Sequence, residues 1–446
     1  MNRLWSILLW SVISAAFIGP GTVTTAASAG AAHGFALLWA LVFSTIACLV
    51  LQEASARITV VSGRNLGQAL RTRYRAGVTG FAVLLLVLGA IVLGCAAYQT
   101  GNILGGVAGA SLGSGLSPRI LTLIIGAVAA LVLSLGRTAT VARLLGMLVA
   151  VMGVAFLVTA WRLAPDWLSI FRGALIPSLP EGSGLLILGL VGTTVVPYNL
   201  FLGSCLARGQ ALPELRFGLS VAVLLGGLIS MGIVVVGTAV DGAFGFDALA
   251  EVLDGRLGGW SRWMFAMGLC AAGVSSAITA PLAAAITARS LFSDSNAGEG
   301  ESENERWSER GWRFRSIWIA VLAIGIGFGL AEVRPIPAIV LAQALNGVLL
   351  PLVAVFLLLT VNDRVLMGER GLNGAWANSL LAIVVSVTVM LGVVNVAKAL
   401  NAAFGFFAPG ESRLLLWSIG LSLAGAVPVW KRVRRLRGAP AGRAGE

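Results

Sequence analysis

Two stretches decide how this chain is read: Ala15-Ala16-Phe17-Ile18-Gly19-Pro20-Gly21-Thr22-Val23-Thr24-Thr25 and Gly192-Thr193-Thr194-Val195-Val196-Pro197-Tyr198-Asn199. Each sets a proline in the middle of an apolar run otherwise long enough to cross a bilayer. Proline lacks the N–H that a helix needs and its ring clashes with the preceding turn, so both runs are predicted to break there. Peptide groups left unpaired in hydrocarbon are tolerable only when buried in protein or facing a polar cavity. Two such breaks in one chain therefore imply a shared polar pocket inside the membrane.

Working outward, the composition excludes a soluble domain. Of 446 residues, 58% are hydrophobic and only 11% are charged, with a mean hydropathy of +0.93; soluble domains carry about 25% charged residues. Apolar runs of about 20 residues recur along the whole length. The predicted spans are 4–29, 35–59, 78–105, 118–136, 141–162, 184–207, 217–240, 260–290, 315–333, 337–360, 374–399 and 412–430, about twelve in all. The breaks fall in spans one and six, so five spans counted from each define two halves, 1–165 and 180–362. An odd number of spans inverts the second half relative to the first, which is an inverted-repeat plan found in secondary transporters. Residues 370–430 then add two spans, and 431–446 form a basic tail.

The formal charge of +12 does not signal nucleic acid, because the arginines gather in alternate loops. They occur at Arg57, Arg64, Arg71, Arg73 and Arg75, at Arg137 and Arg143, at Arg208 and Arg216, at Arg306 to Arg315, at Arg364 and Arg370, and from Lys431 to Arg437. The intervening loops are neutral or mixed, as in Gly101 to Ser117, or acidic, as in Asp241 to Asp254. This positive-inside pattern places both termini in the cytoplasm of a multi-pass inner (plasma) membrane protein. Membrane lipid is the expected surroundings, and the tail is read as a topological anchor. Arg3 and the apolar run up to Ser14-Ala15 imitate a signal peptide, but the helical pattern resumes past Gly21 and the charge count works with the segment retained. The acidic and basic stretch Asp294 to Trp312, with Glu299, Glu301, Glu303, Glu305 and Glu309, reads as a flexible linker. Cys48, Cys95, Cys205 and Cys270 all fall within spans without zinc-type spacing. The 57 glycines, as in Gly101 to Gly115 and Gly226 to Gly237, read as helix-packing seams.

These same motifs resemble the Nramp family of proton-coupled divalent-metal transporters. Gly19-Pro20-Gly21-Thr22 stands where the family has Asp-Pro-Gly-Asn, and Val191 to Ser204 carries the second break, where the family has Met-Pro-His-Asn. Phe35 to Trp39, Leu51-Gln52 through Arg57, Gly273 to Thr279, Gln343, Leu350-Pro351 and Asn362-Asp363-Arg364 through Gly368 extend the likeness from span one through span ten. The resemblance implies an all-α, LeuT-like 5+5 core with the cargo held between broken helices one and six. It also implies no enzymatic activity and no resident cofactor, a divalent cation being cargo.

Residue by residue, the family's ligand positions become Gly19, Thr22, Val196 and Thr193, and the second-motif histidine becomes Tyr198. Carboxylate, amide and thioether are all gone; the one histidine is His33, in an expected external loop. An acidic pair that the family uses for protons falls on Gln99 and Asn102. The remaining substrate site is neutral: Thr22, Thr193, Tyr198, Asn199 and Gln343 with freed carbonyls, Thr22 and Thr193 being the hydroxyls available to a metal. Such a set suits a hydrated hard cation better than Mn²⁺ or Fe²⁺, since hard ions take oxygen ligands and keep water. The half-helix N-termini equally suit an anion or neutral solute, and a non-transporting sensor is a third reading. For coupling, Glu53 is the best titratable group within the spans, with Arg57 one helical turn away to neutralise it.

Overall fold

The computed structural model describes residues 18–74, 77–136, 138–293, 305–404 and 411–438. Residues 4–17 of the first expected span, Arg75, Arg137, residues 294–304 of the linker with Glu299, Glu301 and Glu303, and residues 439–446 of the tail lie outside the described residues. Every regular element described is a helix. Among the described residues ten helices are long and apolar enough to cross a membrane. The two further expected spans are span one, half of which is undescribed, and span twelve.

Span one is seen from its break onward as α1 (Pro20–His33). Then come α2 (Leu38–Ser62), α3 (Leu66–Arg73), α4 (Gly77–Ser114), α5 (Pro118–Leu135), α6 (Thr138–Arg162) and α7 (Trp167–Leu175). Span six is split into α8 (Gly184–Thr194) and α9 (Pro197–Leu206). It is followed by α10 (Leu212–Gly237), α11 (Phe246–Leu257), α12 (Trp260–Phe292), α13 (Trp312–Leu330) and α14 (Pro335–Val361). α15 (Arg364–Gly371), α16 (Ala375–Phe404) and α17 (Glu411–Gly438) complete the chain.

Packing follows the inverted plan. Exchanging spans one to five with six to ten turns the α1·α10 contact into α8–α9·α2, α4·α13 into α12·α5, and α4·α14 into α12·α6, and all of these pairs are in contact. The long α4 and α12 exchange with each other and pack together along their lengths. Short helices fall at the same place in each half, α3 after span two and α11 after span seven. α3 is nucleated by a capping box in which Asn65 Oδ1 accepts the Gln68 amide at 2.9 Å and Gln68 Oε1 accepts the Asn65 amide at 3.1 Å. On α7, Asp166 accepts from the Ser169 hydroxyl and the Leu168 amide, bonds that hold its carboxyl below the usual range, the Ser169 bond foremost.

Burial shows which spans are central. The most apolar window of span six is 89% buried, whereas that of span four is 28% buried. Leu131, Leu135, Leu224 and Ile383 are exposed, as lipid-facing residues are, and Trp161, Trp260, Trp376 and Trp417 are exposed near helix ends, where indole rings favour the membrane–water boundary.

Two expectations are corrected. Gly101 to Ser114 is the last part of α4, not a loop. Its glycines admit neighbouring spans: a Cβ at Gly105 would stand 2.1 Å from Pro20 Cβ, and one at Gly109 2.5 Å from the Cys270 backbone. With no side chain in the way, close packing sustains the helix beyond the point where composition suggested an end. His33 closes α1 rather than lying in a loop.

Candidate functional site at the two helix breaks

Pro20 is the first residue of α1, after Gly19 in an extended conformation (φ −87°, ψ 176°). Proline fits that position, where a helix has no use for the missing N–H. Span six breaks at Val195 and Val196 (φ/ψ −105°/84° and −86°/120°), and Pro197 opens α9. The break strands carbonyls at the end of α8. Thr193 loses its helical donor because Pro197 has none. The Gly192 carbonyl is instead bound by the Tyr98 hydroxyl of α4 at 2.9 Å. Tyr98 also stands edge-on to Tyr198, with ring centroids 5.6 Å apart.

The breaks face one another. Thr22 Oγ1 and Thr193 Oγ1 lie 2.8 Å apart in a buried hydrogen bond. Gln343 of α14 closes another side. A Cβ on Gly21 would stand 1.9 Å from its Nε2, and a Cβ on Gly192 2.0 Å from its backbone carbonyl oxygen. The Gln343 amide is buried with neither atom partnered, as is that of Asn199 on α9, and the Thr24 and Thr25 hydroxyls are likewise unpaired. A polar cluster of this kind inside the membrane is costly without a bound solute, ion or water.

Of the residues singled out from the sequence, Gly19, Thr22, Thr193, Val196, Tyr198, Asn199 and Gln343 are buried on the broken helices or on α14, which packs against them. Gln99 and Asn102 are buried on α4, but Gln99 Nε2 donates to the Ala277 carbonyl of α12 at 3.1 Å and its Cγ lies against Gly325 of α13. Gln99 thus faces the α12–α13 side. Glu53 and Arg57 sit apart, on the face with the basic loops. Glu53 accepts from Arg57 at 3.2 Å and from Arg216 of α10 at 2.8 Å. Arg57 also donates to the Gly371 carbonyl at 2.5 Å and to Asn373 Oδ1. Arg437 of α17 reaches the Asn373 carbonyl at 2.8 Å and Asn362 Oδ1 at 3.1 Å.

Sequence reasoning missed Tyr98 and Ser276. A Cβ at Gly19 would stand 3.3 Å from Ser276 Oγ. A tyrosine beside Gln99 and a Ser-Ser pair in a glycine- and alanine-rich span were the available signals. Among the described residues no group of three or more His, Cys, Asp or Glu side chains is placed to hold a metal. What remains is an uncharged, buried cluster of hydroxyl and amide groups.

The start of α1 at Pro20 and the break between α8 and α9 meet at a buried polar centre, an arrangement of the LeuT-like class of membrane-transporter folds. The chain belongs to the Nramp family, matching the family described as "Natural resistance-associated macrophage protein-like" over residues 11–398. Its relatives include the divalent metal cation transporter MntH of Verminephrobacter eiseniae, 29% identical over 80% of this chain and 81% of that protein. MntH of Acidiphilium cryptum is 28% identical over 86% and 87%. Among solved structures, the Eremococcus coleocola manganese transporter bound to an aromatic bis-isothiourea compound aligns with a TM-score of 0.71 at 19% identity, covering 97% of this chain and 95% of that one. MHP1, a nucleobase-cation-symport-1 family transporter in a closed conformation, aligns at 0.56 with 15% identity over 98% and 94%. These two likenesses support the shared fold.

Proposed function

We propose that the protein is a secondary carrier that moves a divalent cation across the membrane by alternating access, and that its cargo is a hydrated hard cation rather than high-affinity Mn²⁺ or Fe²⁺. The transport of divalent metal follows the names of its relatives. The choice of cation rests on one observation, the Thr22–Thr193 hydroxyl pair at the junction of the breaks, where Gly19 and Val196 bring neither carboxylate nor thioether. Neutral oxygens cannot repay the dehydration of a transition metal, but they can hold a hard ion that keeps part of its water shell. The two halves, 1–165 and 180–362, would rock against each other around this centre, with 370–430 outside the repeat and both termini cytoplasmic. Glu53, Arg57, Gln99 and Asn102 would belong to the polar route or its support.

A second reading, a neutral or anionic solute on the same fold, draws on the open N-termini of α1 and α9 and the unpaired Asn199 amide. Uptake into liposomes of Mg²⁺, Mn²⁺, bicarbonate and neutral amino acids separates the readings. Saturable Mg²⁺ uptake with weak Mn²⁺ competition is expected. Micromolar Mn²⁺ affinity would overturn the hard-cation choice, and uptake of bicarbonate or amino acid alone would favour the second reading. Calorimetry of Gly19→Asp/Val196→Met checks the position of the site: Mn²⁺ binding should strengthen, and an unchanged isotherm would place the ligands elsewhere.

A further inference from the structure

Gly19 and Ser276 lie 257 positions apart in sequence by their numbering, yet an ideal Cβ on Gly19 would come within 3.3 Å of Ser276 Oγ. Ser276 belongs to α12, an unbroken span. It is carried inward by a close backbone approach: a Cβ on Gly273 would stand 2.4 Å from Gly106 Cα. That contact lies one helical turn from Ser276.

The hydroxyl is 3% exposed as a residue and has no hydrogen-bond partner. A helical serine can satisfy itself by donating to a carbonyl three or four residues back, and Ser276 does not. Three other hydroxyls of α12 do so: Thr287 donates to Ala283 at 2.8 Å, Ser290 to Thr287 at 2.8 Å, and Thr279 to Ser275 at 3.2 Å; Ser261, near the start of the helix and away from the breaks, is unpartnered like Ser276. Ser276 instead points at the α1 break. No side chain at residue 19 stands between it and the break.

We propose that Ser276 is a cargo ligand, so that the site is three-sided, with a hydroxyl from the unbroken span α12 completing the oxygen set of the broken spans. The proposal deepens the hard-cation reading and rests on it. Gly19 then has two roles. It removes the charge that would select a transition metal, and it leaves room for a neutral hydroxyl in place of a side chain. The chemical class taken by Ser276 is a hard cation, because a hydroxyl offers an uncharged oxygen and no soft donor. The bland alternative is a hydroxyl that merely fills space and bonds to water.

The experiment is uptake into liposomes of Mg²⁺ and, separately, Cd²⁺ by the full-length protein and four variants. Ser276→Ala should raise the Mg²⁺ KM by about tenfold, the loss of one good oxygen contact. Ser276→Cys has nearly the same size but a soft donor, so it should shift the Cd²⁺:Mg²⁺ uptake ratio toward Cd²⁺ by about tenfold or more. Gly19→Ala places a methyl against the hydroxyl and should reproduce the Ser276→Ala loss. The double variant Gly19→Ala/Ser276→Ala should then be no worse than Ser276→Ala alone, since both remove one contact.

Unchanged KM and unchanged cation ratio in the Ser276 variants would overturn the ligand role, as would independent, multiplying losses in the double variant. If the unmodified protein takes up no divalent cation, the cation reading falls and the ligand assignment falls with it. Divalent uptake that is indifferent to Ser276 removes only the latter.

Discussion

The hydroxyls of Thr22 and Thr193, 171 residues apart in the chain, meet at 2.8 Å in the interior of the protein. One lies in the first turn of a half-helix and the other in the last turn of another. Their bond ties the two breaks directly to each other, and a cargo held between the breaks has to engage or displace it.

Replacing Thr193 with valine keeps the shape and removes this bond. Uptake is expected to fall at least tenfold, while thermal stability in detergent changes by only about 1 kcal/mol, the net worth of one hydrogen bond. A variant with full uptake and an unchanged KM would show that the hydroxyl pair is not part of the site.

Glycine is required for different reasons at two points around Gln343. At Gly192 the clash of an added Cβ is with the Gln343 backbone carbonyl, 2.0 Å away, and backbone cannot yield. At Gly21 the clash is with the end of the Gln343 side chain, 1.9 Å away, which can swing aside. Gly192→Ala should therefore abolish folded, monodisperse protein. Gly21→Ala should leave a folded protein with altered uptake, because the Gln343 amide has moved. Size-exclusion profiles and uptake assays distinguish the two, and equal tolerance at both positions would contradict the packing described.

On the basic face, Arg57 is 6% exposed and joins Glu53, Gly371 and Asn373, whereas the Arg216 side chain is 55% exposed. Removing Arg57 strands several buried acceptors and should cost about 2–4 kcal/mol. Arg216→Ala should cost under about 1 kcal/mol, since solvent screens an exposed pair. Melting temperatures test the order. Glu53, held by two arginines, is expected to be structural: Glu53→Gln should lower the melting temperature yet leave the pH profile of uptake unchanged. A displaced profile would assign it to proton movement.

Much of the architecture was legible because lipid imposes strict rules on sequence. Predicted and observed span limits agree closely from α2 to α14, and both prolines open helices where the broken runs placed them. The exception is instructive. By composition span three ends at residue 105 and Gly101 to Ser117 counts among the uncharged loops, although its glycines also read as a packing seam; against α12 and Pro20 it is the seam that prevails, and the helix runs on to Ser114. Similarly, Glu53 and Arg57 could be paired from their spacing, but Arg216, Asn373 and Arg437 come from remote segments.

By itself, the sequence determined the membrane class, the two breaks and the uncharged character of the residues at them, since hydropathy, proline chemistry and residue identity are local properties. Only the tertiary structure decided which hydroxyls meet. The Thr22–Thr193 bond, the Tyr98 contact to the Gly192 carbonyl and the position of Ser276 opposite Gly19 depend on helix rotation and on backbone approach at glycines. Those are set by the fit of whole surfaces, and no single stretch of sequence carries them.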